Sequence, residues 1–127
     1  MSACTCMPGA TLWLGGPARH AVAGQLAERL RTGHHRRAEV LDADPPGGAD
    51  ESPRAAAERI GLVAEILARN GILAVVVSAT GQAADLDTVR DRHRRAGTAF
   101  LEPLADPAPS VEALLTLLAG HGLVRAG

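Results

Sequence analysis

The chain has 127 residues, a hydrophobic fraction of 46% and a formal net charge of -1. Its apolar content is aliphatic, with one Trp, one Phe and no Tyr, which argues against the aromatic platforms that stack single-stranded bases. A net charge this small offers nucleic acid or an anionic membrane no overall attraction. The strong cations are all Arg, because no Lys occurs, so no lysine is there to clamp phosphate, form a Schiff base or act as a general base.

Residues 1–9 read as a flexible tail ahead of a single domain over 10–127. The tail lacks the basic region and long apolar stretch of a signal peptide. No apolar run approaches the roughly 20 residues of a membrane span, so a cytoplasmic protein is the default expectation. Cys4 and Cys6 are too close for an easy disulfide. Cys-Thr-Cys-Met has soft-metal donors but no evident third ligand, and an unstructured leader is the plainer reading.

From Ala10 the pattern alternates strand and helix. Ala10–Leu14 is a short apolar strand closed by Gly15-Gly16-Pro17. Val22, Ala23, Leu26, Ala27 and Leu30 recur at helical spacing over His20–Thr32, with Gly33 as a stop. Ala38–Leu41 is a second strand, followed by Asp42-Ala43-Asp44 and a loop over Pro45–Asp50. Ser52 is a plausible N-cap with Pro53 at the first helical position.

The helix after Pro53 runs to Asn70, with Ile60, Val63, Ala64 and Leu67 expected on its buried face. Ile72–Ser78 is the clearest buried strand, read from its unbroken apolar run. Asp85–Arg95 is an Arg-rich helix, Thr98–Glu102 a fourth strand, and Ser110–Ala119 a closing helix with a Ser cap. Four repeats of strand then helix predict an α/β, three-layer domain. Its mostly parallel sheet of about four strands has helices on both faces and right-handed crossovers.

Ligands of such sheets bind beyond the carboxyl ends of the strands, and the first strand-to-helix turn is the natural anion site. That turn is Gly15-Gly16-Pro17-Ala18-Arg19-His20. Two clusters lie elsewhere. His34-His35-Arg36-Arg37 reads as a solvated turn, with a small anion or metal site as the alternative. Arg90, Arg92, His93, Arg94 and Arg95 read as a basic, solvated helix end that suits the helix dipole.

Thr11–Leu14, Leu26–Leu30, Val40–Asp44, Arg59–Ile72 with Val77-Ser78-Ala79, Asp87–Arg90, Ala96–Glu102 and the helix from Ser110 to Val124 together resemble a known family. They are similar to adenylylsulfate kinases (APS kinases), a branch of the P-loop kinases. The resemblance runs in order through nearly the whole chain and implies a P-loop NTPase-like fold. It also implies a phosphate loop of the form G-x-x-x-x-G-K-[ST], which needs a lysine for phosphate and a hydroxyl for Mg²⁺. Here the loop is about three residues shorter than that pattern; Ala18 falls at its second glycine, and Arg19 and His20 at its lysine and hydroxyl.

Other motifs implied by the resemblance are reduced. Asp42 and Asp44 keep the two carboxylates after the second strand, with Asp44 the one to activate an acceptor hydroxyl. Of the substrate-binding arginines only Arg59 remains; Thr80-Gly81-Gln82-Ala83 replaces Ser-Pro-Tyr-Arg; Pro103–Pro109 stands where the Arg- and Lys-rich lid begins. The expectation is a shortened, degenerate relative. It is read as non-catalytic, without cofactor, acting as a regulatory or scaffold subunit with a protein partner or as a homodimer, in sulfate activation or a biosynthetic cluster. The alternative is a residual kinase or nucleotide binder using ATP and Mg²⁺ and acting on adenylylsulfate or another small hydroxyl substrate. Its site would be Gly15, Gly16, Arg19 and His20 for phosphate, Arg59 for substrate and Asp44 for catalysis, with no further metal site.

Overall fold

The computed structural model describes residues 7–43, 52–78, 86–102 and 110–125. Strands β1 (Ala10–Leu14), β2 (Ala38–Asp42), β3 (Leu73–Val77) and β4 (Ala99–Leu101) alternate with helices α1 (Arg19–Gly33), α2 (Pro53–Arg69), α3 (Asp87–Ala96) and α4 (Val111–Gly120). The strands form one parallel sheet in the order β2-β3-β1-β4. This is the expected α/β architecture, with element ends within a residue or two of the sequence reading.

The sheet is covered on both faces because β1 and β3 are buried along their whole length, and a parallel strand in that position has no wet side. On one face Leu12, Leu14, Val75 and Val77 pack against Ala23, Leu26, Ala27 and Leu30 of α1 and Leu114 and Leu118 of α4. On the other, Trp13, Ala74 and Val76 pack against Ala57, Ile60 and Ala64 of α2 and Val89 of α3. Local signals set the helix ends. Ser52 and Ser110 accept from the N–H groups of Ala55 and Ala113 as N-caps, and Gly97 ends α3 in the left-handed region at φ 74°.

Three sequence expectations are corrected. Val63 is 41% exposed rather than buried. The inward stripe of α2 is instead Ala57, Ile60, Gly61, Ala64 and Ala68. These small residues let α2 lie close to its neighbours: a Cβ at Gly61 would stand 2.6 Å from Val89 Cγ2. The larger Leu62, Val63 and Ile66 are turned outward.

His93 is fully buried, not solvated. It follows Val89 by one helical turn on the inner side of an otherwise charged helix. Its Nδ1–H donates to the Val89 carbonyl at 2.8 Å, leaving Nε2 to accept from the Thr11 hydroxyl at 2.7 Å. The ring also lies 4.9 Å from Phe100.

Arg36 is buried as well, within the turn expected to be solvated. His35 adopts φ 53°, a left-handed conformation that is costly for a residue with a side chain. The chain thereby doubles back so that both His34 and Arg36 donate backbone N–H to Leu30 O. The Arg36 guanidinium then donates to the carbonyls of Leu123, Pro8 at 2.8 Å and Gly71 at 3.1 Å. Burial holds it below the usual arginine value. These bonds tie three distant segments beneath the sheet, and Gly9 meets Ile72 so closely that a Cβ would lie 2.5 Å from its carbonyl oxygen.

Two outcomes follow. Gly61→Val should destabilise the fold by about 1–3 kcal/mol through overpacking against Val89. Gly24→Ala, in open space on α1, should stabilise it by up to about 1 kcal/mol; urea denaturation measures both. Burial, opposed by the Val89 hydrogen bond and Glu65 and reinforced by Arg92, pushes the His93 value below the ordinary 6.5. The unfolded chain therefore binds the proton more readily, so the stability from neutral His93 is complete above pH 6.5 and is lost as pH falls below it. Denaturation midpoints at pH 7.5 and 5.5 should differ in the wild type, and the difference should shrink in His93→Gln.

Candidate functional site at the carboxyl edge of the sheet

The strand order changes direction at β1, since α1 leads from it to β2 on one face while α3 leads from β3 to β4 on the other. The crevice of such a sheet lies at that switch, beyond the strand ends. Register sets Leu14, Val77 and Asp42 at one level. Above them, Ser78 donates to Leu14 O at 3.0 Å and Ala43 to Val77 O at 2.8 Å. Gly15 passes over Ser78, where a Cβ would be 3.6 Å from the Ser78 carbonyl oxygen.

Between β1 and α1 the chain turns over Gly15, Gly16, Pro17 and Ala18. Gly16 takes φ 94°, open to glycine at no steric cost. Its carbonyl accepts the Arg19 backbone N–H at 3.2 Å and the Arg19 guanidinium at 2.9 Å. The turn is closed on its own oxygen, and the cation at the lysine position is folded back onto it. Ala18 caps α1 without a side-chain bond.

His20 reaches from the first turn of α1 to Asp42 at the end of β2, with Nε2 3.3 Å from Oδ2. The sequence marks Asp42 as a retained carboxylate but does not show this pairing, because the residues come together only through the β1–β2 crossover. Glu102, after β4, takes two hydrogen bonds from Arg90, one of them 2.8 Å long. Asp87 takes a third at 2.8 Å, and the Glu102 bonds hold Arg90 above its usual value. Arg59 stands on the exposed side of α2, across the sheet from Arg19 and His20.

Asp44, the Pro45–Asp50 loop, Thr80–Ala83, Pro103–Pro109 and the Cys4–Cys6 pair lie outside the described residues. Among the described residues no group of three His, Cys, Asp or Glu side chains is arranged to hold a metal ion. None of their helices is long and apolar enough to cross a membrane. Mg²⁺ prefers hard oxygen donors, and the position the resemblance reserves for its hydroxyl holds an imidazole engaged with Asp42. Among the described residues, the side chains at this turn do not fit that ion.

The only Trp of the chain, Trp13, lies in β1 next to its end and is buried in the core beneath α2 and α3. Its ring centre is 5.9 Å from that of Phe100, and its buried Nε1 has no hydrogen-bond partner among the described residues. Any fluorescence change on adding a ligand therefore reports this one residue.

No protein-family profile and no curated protein sequence matches the chain. Solved structures do. A hexameric APS kinase from Thiobacillus denitrificans aligns with TM-score 0.73 at 18% identity, over 94% of this chain and 30% of that one. An APS kinase CysC from Mycobacterium tuberculosis, as a cysteine-to-alanine mutant, aligns with TM-score 0.67 at 21% identity, covering 90% of this chain and 97% of that one. The same enzyme in complex with AMPPNP and APS gives TM-score 0.64 at 25% identity, covering 93% and 77%. This chain has an APS kinase-like P-loop fold, and it spans under a third of the length of the Thiobacillus chain.

His20→Gln should test whether the His20–Asp42 contact is structural. Both side chains are more than half exposed, at 57% and 56%, and pairs of this kind contribute about 0–1 kcal/mol. Urea midpoints should move by less than that, leaving the variant folded for ligand work.

Proposed function

We propose that this chain is a non-catalytic relative of APS kinases, acting through its surface as a regulatory or scaffold subunit. The observation that carries this reading is the β1–α1 turn. Phosphoryl transfer by P-loop enzymes depends on a backbone cradle of N–H groups, a lysine and a hydroxyl-bound Mg²⁺. Here the turn is closed by the Arg19 backbone N–H on Gly16 O, the Arg19 guanidinium lies back on that same oxygen, and His20 is engaged with Asp42. The absence of Lys from the sequence and the shortened loop support it further. A protein partner or a second copy and a soluble, cytoplasmic setting complete the proposal.

A second reading, residual binding of ATP or APS, draws on one feature. Gly16 in the left-handed region and an Arg at the first turn of α1 are the elements from which an anion site is built. The kinase-type roles would then fall to Arg19, His20, Arg59 and Asp44.

Calorimetry and Trp13 fluorescence with ATP·Mg²⁺ and with APS separate the two. Neither heat nor a fluorescence change up to millimolar ligand is expected, and a coupled assay for ADP release should stay at the blank. Micromolar binding that is lost in Arg19→Ala would establish the second reading in place of the first.

A further inference from the structure

At the opposite end of the sheet lies an open depression of about 1410 Å³, above the roughly 300–1,000 Å³ of small-ligand pockets. Its lining includes the cations Arg36, Arg37, Arg69 and Arg125 and the imidazoles of His34, His35 and His121, and no acidic side chain among the described residues lines it. In a parallel α/β sheet all helices end on this side, so their carbonyl dipoles attract some positive charge. That demand is largely met from within. The last carbonyls accept the backbone N–H groups of His34, Asn70, Gly97 and His121, and Arg36 satisfies three more carbonyls. Arg69 is paired with the buried Glu65, a carboxylate it shares with Arg92.

Arg37 and Arg125 remain exposed on the rim as charge beyond what the helix ends need. His35 stands there too, held at φ 53°, where glycine would be less strained. A residue kept at such a cost points to a role for its side chain.

We propose that this depression receives an acidic, Asp- and Glu-rich segment of a protein partner. An anion of high local charge density, such as free phosphate, would meet four helix carboxyl ends rather than the N–H groups that phosphate sites use. Among the described residues the lining holds no Phe, Tyr or Trp on which nucleic-acid bases would stack. An extended acidic segment distributes its carboxylates along Arg37, His35 and Arg125 while its backbone spans the width of the depression. The proposal names the surface and chemistry of the partner assumed in the scaffold reading, and it stands whether or not the carboxyl edge binds nucleotide.

The test uses the full chain and a fluorescein-labelled Asp/Glu peptide, read by anisotropy, with an Asn/Gln peptide of equal length and a duplex DNA as comparisons. Saturable binding of the acidic peptide alone is expected, weakening as salt rises. The double variant Arg37→Glu, Arg125→Glu should bind about tenfold or more weakly, with unchanged circular dichroism. Arg54→Glu, at the start of α2 and paired with Glu58, should bind as the wild type does. No saturable binding, equal binding of DNA, or equal loss in Arg54→Glu would overturn the docking site. None of these results alters the nucleotide titrations, so the two readings fail separately.

Discussion

Burial of β1 on both faces is the constraint from which the rest of the molecule follows. A central parallel strand must present apolar side chains to two helical layers at once, and Leu12 and Leu14 meet one layer while Trp13 meets the other. Thr11 is the exception. A hydroxyl with no exposure would be costly without a partner, and His93 supplies that partner from across the α3 interface. The polar pair thus fixes which residue of α3 faces β1, where apolar packing alone would leave more freedom.

The same parallel topology gives the molecule two chemically different ends. Helix amino ends gather at the carboxyl edge of the strands, where P-loop folds bind phosphate. In this chain that edge holds a self-closed turn, a His20–Asp42 contact and carboxylates held by Arg90. The sequence places further acids, Asp44, Asp50, Glu51, Asp85 and Asp106, in the connections after β2, β3 and β4. The opposite edge collects helix carboxyl ends, and with them Arg36, Arg37, Arg125 and three imidazoles. Arg36 holds that end together, joining the segment before β1, the α2–β3 turn and the segment after α4.

Much of the architecture was legible without coordinates. The apolar runs at Ala10–Leu14 and Leu73–Val77, the Ser caps at Ser52 and Ser110 and the glycine stops are local features. Local physics (backbone sterics, capping and burial periodicity) is what sets element boundaries. The resemblance to APS kinases agrees with the fold, since the solved enzymes align over nine-tenths of the chain. The first-turn residues Gly15, Gly16, Arg19 and His20 were found by their place after β1. How Arg19 and His20 are used was not legible, because Gly16 O and Asp42 become their partners only when the turn closes and β2 is laid beside β3.

By itself the sequence determined the order and type of the elements, the parallel sheet they form and the lack of a lysine at the β1–α1 turn. Each of these is a property of residues near one another in the chain. Tertiary structure decided which face of α2 is buried, that His93 and Arg36 are inside, and that Arg36, Arg37, Arg69 and Arg125 meet around one depression. Those outcomes depend on contacts between residues far apart in sequence: Gly61 with Val89, Thr11 with His93, Arg36 with Leu123. A charged stretch looks solvated until packing brings a carbonyl or a hydroxyl within reach of one of its members.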